Sequence, residues 1–529
     1  MSENTHSQEQ DDLFPVVVIG AGLAGLAAAV HLAGRGVEPL VLDADSLWPG
    51  GRLSGGKPDI IEHEGQEWTF RTEHSVHGVW GGYVNLRATI ERFTDTKLQL
   101  SYGEDWVNRW GKHVRYMEAG NAVRSKYIPA PFHYLNLLFN PNIWANIAPW
   151  DFLSLPGLLL SIMLTVGFDP IAEERTLDGL PMSLFFRGWT PNLRATFTGL
   201  AVNLLAAPVE DIDLTGLIAG LRFYTMLRRD AWQLHFFPAD SHTSLIQPLI
   251  DSIDAHDGYV MGGMTVTRLD RSEGSWQVVA TAGTGEVRRF HTRHVIIATD
   301  APGAERLLAA SKATANDIDD MIFPRGLRNA VVHLWYKTAP PEGVMGGMLT
   351  GDFLPDNFFW LHRLYDDFRE WHEATGGSAI ELHVYGPKDV LDLPDHNLMA
   401  ACATDVARAW PNLKGQILHG TVRRNSGVQT RYRVPDARTL AVETPWEGVH
   451  ACGDWVRYNT PSLWMEHSTT TGIAAANAVL SDLGREPYPV LYPPEPELLA
   501  RVLGSIVRLG RRVLGKPITT ALRAVRRGG

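Results

Sequence analysis

The hexapeptide Gly20-Ala21-Gly22-Leu23-Ala24-Gly25 has the spacing of a backbone loop that holds a pyrophosphate. Gly20 permits a tight turn, Gly22 lets the chain approach a phosphate, and Gly25 lets a helix close onto a strand. Asp43, followed by Ala44, lies where a carboxylate can accept from a ribose 2′-hydroxyl and would repel a 2′-phosphate. A second glycine pair stands in Pro49-Gly50-Gly51-Arg52-Leu53, where the backbone can pass a bulky extended cofactor and Arg52 can meet a phosphate or ring edge. A nicotinamide dehydrogenase needs no such second element, so the set implies FAD rather than NAD. Gly453-Asp454-Trp455 supplies a third polar turn far along the chain, and Val266 and Ala298 are candidates for backbone contact with the cofactor.

Two other groupings look chemical. Glu73-His74-x-x-His77, with His63 nearby, has metal-binding residue types, but its order is not the His-Glu-x-x-His of zinc enzymes. It reads as a polar lining near the cofactor or as a hydrogen-bonded structural cluster, so no metal is expected. No Gly-x-Ser-x-Gly elbow frames a serine nucleophile, which argues against hydrolase chemistry.

The elements that must position these residues follow from patterning. Phe14 to Ile19 is a continuous apolar run, suited to a parallel strand buried on both faces. A helix from about Leu23 to Ala33 follows, ended by Gly34 and Gly36, then a strand over Pro39 to Leu42. Ser244 to Ile253 reads as a helix and Tyr259 to Leu269 as a strand. Ser275 to Ala282 pairs with Glu286 to His291 as a hairpin, and His294 to Ala298 is a further buried strand. Asn329 to Tyr336 and Ala379 to Tyr385 suit antiparallel strands. Val449 to Cys452 is a short strand before a helix over about Ser462 to Leu480. The expected fold is α/β: a Rossmann-type FAD-binding domain, its parallel sheet flanked by helices, with an inserted α+β substrate domain containing a mixed or antiparallel sheet. The first domain takes residues 14–90, 236–302 and 441–482, and the second takes 91–235 and 303–440. Residues 1–13 are expected to be a disordered lead-in without a secretory signal, and 483–529 a basic amphipathic tail.

The net charge of −11 argues against nucleic-acid binding. Two cysteines, Cys402 and Cys452, provide neither a disulfide framework nor a cysteine metal cluster, which points to a cytoplasmic setting. Residues 127–168 hold a single carboxylate, Asp151, and no lysine or arginine. Their apolar run from Phe152 to Phe168 fits a membrane span, a buried core helix or a lipid- or substrate-facing surface. From Leu498 onward there are eight basic residues and no acidic one. On a helical wheel Leu499, Val502, Leu503, Ile506, Leu509 and Val513 oppose Arg501, Arg508, Arg511 and Arg512, with Pro517 expected to end the helix. The pattern implies peripheral attachment to an anionic membrane surface, at its inner face.

The Gly20 turn, the Gly50-Gly51-Arg52 element, the Ala298-Thr299-Asp300 strand end and the Gly453-Asp454 closure resemble the amine oxidase and phytoene desaturase superfamily, and they span nearly the whole chain. Glu73 to Gly78, Tyr83-Val84-Asn85-Leu86-Arg87, Gly453 to Arg457, Met465-Glu466 and Thr471-Gly472 more narrowly resemble the carotene desaturase/methyltransferase group of isorenieratene-synthase-like enzymes. Trp464 and His467 depart from that pattern, and the segment around Tyr127 to Trp150 has no clear counterpart. The resemblance implies that Asp454 bonds the ribityl or pyrophosphate region. It also implies hydride transfer from a carotenoid or related isoprenoid to flavin N5, with oxygen or a quinone as final acceptor. Desaturation then accompanies aromatisation and a methyl shift in the narrower group. Glu466, His467, Trp464 and Arg457, beside the flavin-closing helix, are the catalytic candidates. A flavin amine oxidase acting on a soluble amine shares every cofactor motif, and a non-enzymatic FAD-containing binding protein is the third reading.

Overall fold

The computed structural model describes residues 12–173, 177, 179–272 and 274–527. Two seven-stranded sheets dominate it. The strands used below, in chain order, are β1 (Asp12–Ile19), β2 (Pro39–Leu42), β3 (Glu104–Trp110), β4 (His113–Glu118), β5 (Tyr259–Met261), β6 (Met264–Ser272) and β7 (Ser275–Ala282). They continue with β8 (Val287–Ile297), β9 (Gly326–Tyr336), β10 (Gly346–Gly351), β11 (Asn357–Trp360), β12 (Ser378–Val384), β13 (Ile417–Thr430) and β14 (Val449–Ala451). The helices are α1 (Leu23–Ala33), α2 (Val84–Phe93), α3 (Leu155–Gly167), α4 (Trp464–Asp482) and α5 (Leu498–Arg527).

The first sheet is a Rossmann sheet. Its parallel core runs β5-β2-β1-β8-β14, and the β6–β7 hairpin extends it along β8. Val16, Val17 and Val18 of β1 are fully buried, as a strand covered by helices on both faces requires. The second sheet, in order β13-β9-β12-β11-β10-β3-β4, is mixed: β10 runs parallel to β3 and the other pairs are antiparallel. Its strands come from Glu104–Glu118 and from Gly326 onward, on either side of the segment that returns to the first sheet.

Four details differ from the sequence reading. Asp12 and Leu13 already pair with Phe290 and His291, so β1 begins inside the expected lead-in; residues 1–11 lie outside the described residues. Tyr259 to Leu269 divides into β5 and β6 because Gly262 packs on the Asp45 carbonyl and Gly263 takes φ +74°. Glu286 to His291 and His294 to Ala298 form one strand, β8, which changes neighbour on one edge: β7 pairs up to Thr292 and β14 from Val295 onward. The α5 backbone continues through Pro517 to Arg527, so the expected stop is absent; a helix can carry an interior proline only at the cost of one backbone bond and a clash with the preceding turn.

Candidate functional site

The Gly20 turn joins β1 to α1 at the carboxyl edge of the Rossmann sheet. Gly20 has φ +107°, and a Cβ there would stand 3.0 Å from the Ala298 carbonyl oxygen on β8's exit. A Cβ on Gly25 would lie 2.0 Å from the Gly20 carbonyl oxygen, so the helix can close onto the turn only with glycine at this point. Leu23 and Ala24 are buried beneath it. Gly22 differs: a Cβ there meets nothing within 4 Å. It is the N-cap of α1, whose first turn carries no side-chain cap and no acidic residue, leaving backbone N–H groups and the positive helix end for an anion.

The other elements converge on this opening. Asp43 Oδ2 accepts from the Ala21 N–H at 2.6 Å and Oδ1 from the Asp45 N–H at 2.9 Å. A carboxylate offers about four acceptor sites, so lone pairs remain for ribose hydroxyls. Ala44 is exposed, and Val266 lies half-buried on β6, whose first residue donates from its N–H to the Asp43 carbonyl at 2.7 Å. These contacts bring Val266 close to Asp43. Gly50 and Gly51 take φ +128° and +58°, and a Cβ on Gly51 would stand 3.6 Å from Gly22 Cα. The two glycine elements therefore face one another. The single turn Gly51–Leu53 buries Leu53 and presents Arg52, whose Nη2 donates to Asp454 Oδ2 at 2.6 Å.

Asp454 is almost fully buried and its second oxygen accepts from Thr430 Oγ1 at 3.2 Å. Gly453 donates from its N–H to Thr471 Oγ1 at 2.9 Å, which ties this turn to α4. Gly472 packs against the Ala24 carbonyl, so α1 and α4 cross closely with the N-terminal halves of both beside the cradle. A glycine-lined opening at a helix N-terminus, a carboxylate on one side and an Arg–Asp pair on the other suit a dinucleotide with an extended second half.

The four catalytic candidates do not meet at one point. Trp464 holds φ +53°, donates from Nε1 to the Leu204 carbonyl at 3.1 Å and lies 5.9 Å from the Tyr432 ring. Glu466 is committed to α2: Oε1 accepts from Asn85 N–H and Nδ2 at 2.9 and 2.8 Å, and Oε2 from Leu86 N–H at 3.0 Å. These donors are the first turn of a helix with no cap of its own. Burial pushes the Glu466 carboxyl up to about 7 against those donors. His467 donates from Nε2 to the Val456 carbonyl at 2.7 Å, which leaves Nδ1 to accept from Ser462 Oγ at 2.8 Å; burial lowers its pKa. Arg457 is exposed. It shares with Asp454, Tyr458, Ser462 and His467 a groove of about 1090 Å³.

Sequence reasoning missed a buried network behind the Glu73 to Gly78 segment. Tyr365 donates to Glu73 Oε1 at 2.7 Å, and His77 Nδ1 lies 3.1 Å from Glu73 Oε2. Glu381 accepts from the Val76 N–H, His383 Nε2 and His333 Nε2 at 2.5, 2.5 and 2.8 Å. Burial works to raise the Glu381 carboxyl, but its two histidine partners outweigh this and hold it well below the usual range. The available signal was Glu381 and His383 alternating inside an otherwise apolar strand. An aromatic wall adjoins this segment: Tyr83 and Tyr224 share a 2.9 Å hydroxyl bond, and Trp80 packs edge-on to Tyr224 and Trp232.

A flavin-containing amine oxidoreductase family model matches residues 23–480. The carotenoid phi-ring synthase of Chlorobaculum tepidum is 24% identical, with 90% of each chain covered. That of Streptomyces griseus is 26% identical over 89% of this chain and 88% of its own. Among solved structures, the cyclohexylamine oxidase of Brevibacterium oxydans has a TM-score of 0.63 at 15% identity, over 89% of this chain and 100% of that one. At this identity the likeness establishes the fold.

Proposed function

The chain belongs to the flavin-containing amine oxidoreductase family, and from that premise we propose that this FAD-dependent oxidoreductase desaturates a carotenoid or related long isoprenoid, with aromatisation and a methyl shift at a ring end. The observation that carries the reading is the match along nine-tenths of the chain to two carotenoid phi-ring synthases. When bound, FAD supplies a hydride acceptor at flavin N5. The Gly22 cradle and the α1 N-terminus would hold the pyrophosphate, Asp43 would hold the adenosine ribose, and Arg52 with Asp454 would fix the flavin half. Trp464 and Tyr432 offer aromatic faces to positive charge on the substrate. Arg457 and His467 border the groove that reaches Asp454, while Glu466 acts by holding Asn85 and α2 in place. Oxygen or a quinone takes the electrons.

An apolar substrate also needs a route from lipid, and the surface supports one. Trp150, Leu153, Leu155, Leu159 and Leu160, on α3 and the helical turn before it, are all at least half exposed. Ser161 and Thr165 on the other side of α3 are buried, and the helix packs against α5. This is the half-buried arrangement of a surface helix, although Pro149–Gly167 is long and apolar enough to cross a membrane. On α5, Val502, Ile506 and Leu509 are exposed in turn. The two helices form the face we assign to peripheral attachment at the cytoplasmic leaflet.

The test is expression in cells that accumulate lycopene, γ-carotene or β-carotene, with pigments separated by chromatography and weighed by mass spectrometry. A product lacking two or more hydrogens, absent with Gly22→Val, is expected. Unchanged pigments together with oxidation of simple amines would replace this reading with a soluble amine oxidase.

A further inference from the structure

His294 and His450 stand on the neighbouring parallel strands β8 and β14, where Ile296 is opposite His450. Alternation along β8 puts His294 and Ile296 on one face, the face shared with His450. The two rings are 16° from parallel with centroids 6.4 Å apart. Asp482, the last residue of α4, closes a third side, with Oδ2 3.8 Å from His294 Nδ1. One ligand atom from each of the three lies within 4.8 Å of the others.

The polar accounting here does not balance. His294 and His450 are each only 8% exposed, yet neither ring nitrogen of His450 has a hydrogen-bond partner, and neither does His294 Nδ1. Buried donors and acceptors in native proteins are almost always satisfied, so three orphan nitrogens on one small cluster call for an occupant.

We propose that His294, His450 and Asp482 bind a borderline divalent d-block ion of the Zn2+ class, with water completing the shell. Two imidazoles and one carboxylate suit such an ion, whereas Ca2+ and Mg2+ prefer all-oxygen sites. Zn–N and Zn–O bonds of about 2.0–2.1 Å place ligand atoms roughly 3.4 Å apart in a tetrahedron, so the carboxylate must close in by about 1 Å. The Asp482 side chain is 57% exposed at a helix end and is free to do so. The site lies at the carboxyl end of α4, and His450 is four residues before Asp454 along the chain, roughly 13 Å at about 3.3 Å per strand residue, so it stands beside the cofactor cradle and not in it. Its role is structural: it fastens the far end of the helix whose near end closes over the flavin. The sequence shows no metal motif here because the ligands come from three separate elements.

The test uses untagged, flavin-loaded protein stripped with a chelator, titrated with Zn2+ and then with Co2+ as a spectroscopic probe. Expected are one ion per chain by elemental analysis after removal of excess, Co2+ ligand-field bands that Zn2+ abolishes, and a Zn2+-dependent rise in Tm. His450→Gln and the surface change Asp482→Asn should lose stoichiometric binding while keeping full flavin content. Wild type that retains no metal, or variants that titrate like wild type, would overturn the assignment. If His450→Gln fails to fold, Asp482→Asn and the metal-dependent Tm of wild type decide alone.

Discussion

No neighbour stands within 4 Å of a Cβ on Gly22, so Gly22→Val would fold but would place its methyl groups where the pyrophosphate must lie. The purified variant should be colourless, while wild type shows flavin absorption. Asp43→Ala and Asp454→Ala remove charge-assisted partners from opposite halves of the cofactor. Each should weaken FAD binding by about 10- to 150-fold, following the roughly 1.5–3 kcal/mol of such bonds; a fluorescence titration with unchanged affinity in both would refute the placement. Glu466 makes a prediction of a different kind. Its folded pKa of about 7 lies above the ordinary 4.5, so its stabilising contribution is full below pH 4.5 and is lost as pH rises toward 7. The Tm difference between wild type and Glu466→Gln should shift against wild type across that window. The glycines were legible in the sequence because their demands are local. The duty of Glu466 was not, because its partner Asn85 lies 381 residues away.

Strands and helices were legible wherever periodicity was uninterrupted: α1 and β2 have the bounds their composition implies. The sequence reading split β8 into a polar hairpin strand over Glu286 to His291 and a buried apolar one over His294 to Ala298, although the β1 partner continues past the gap. The tail shows why a helical wheel underdetermines a surface. Arg511, placed on the solvent side by composition, donates to the Gly167 carbonyl and pairs with Glu173 at 2.9 Å. Leu503 and Val507 turn inward with it, and Gly504 packs on the Val166 carbonyl, 2.7 Å from where a Cβ would stand. Gly504→Val should therefore pry α5 from α3, at a cost of about 1–3 kcal/mol, and expose the tail to trypsin. For the membrane reading, the full chain should sediment with anionic liposomes and a version ending at Pro496 should bind less. Arg511 is already paired, and Arg501 pairs with Glu495, so raised salt should weaken binding only in part. Equal binding by both versions would remove α5 as the anchor.

The Rossmann sheet is assembled from three returns of one chain, at β1–β2, β5–β8 and β14 with α4. A chain ending near residue 440 keeps the Gly20 turn but loses Asp454 and the helix that packs on α1, so it should bind no FAD. If FAD binds only the completed cradle, as proposed, saturating cofactor at about 100 times Kd should stabilise the whole protein by roughly 2.7 kcal/mol. Differential scanning calorimetry of apo and holo forms measures this directly. The pairing of Arg52 with Asp454 spans 402 residues, and that separation has a meaning in time. At about 5–20 residues per second, a ribosome needs on the order of 20–80 s after making Arg52 before Asp454 exists. During that interval β1 lacks its neighbour β8 for most of the wait and must stay soluble without it. The Arg52–Asp454 side of the cradle can thus form only late in synthesis, after most of the chain has already been made.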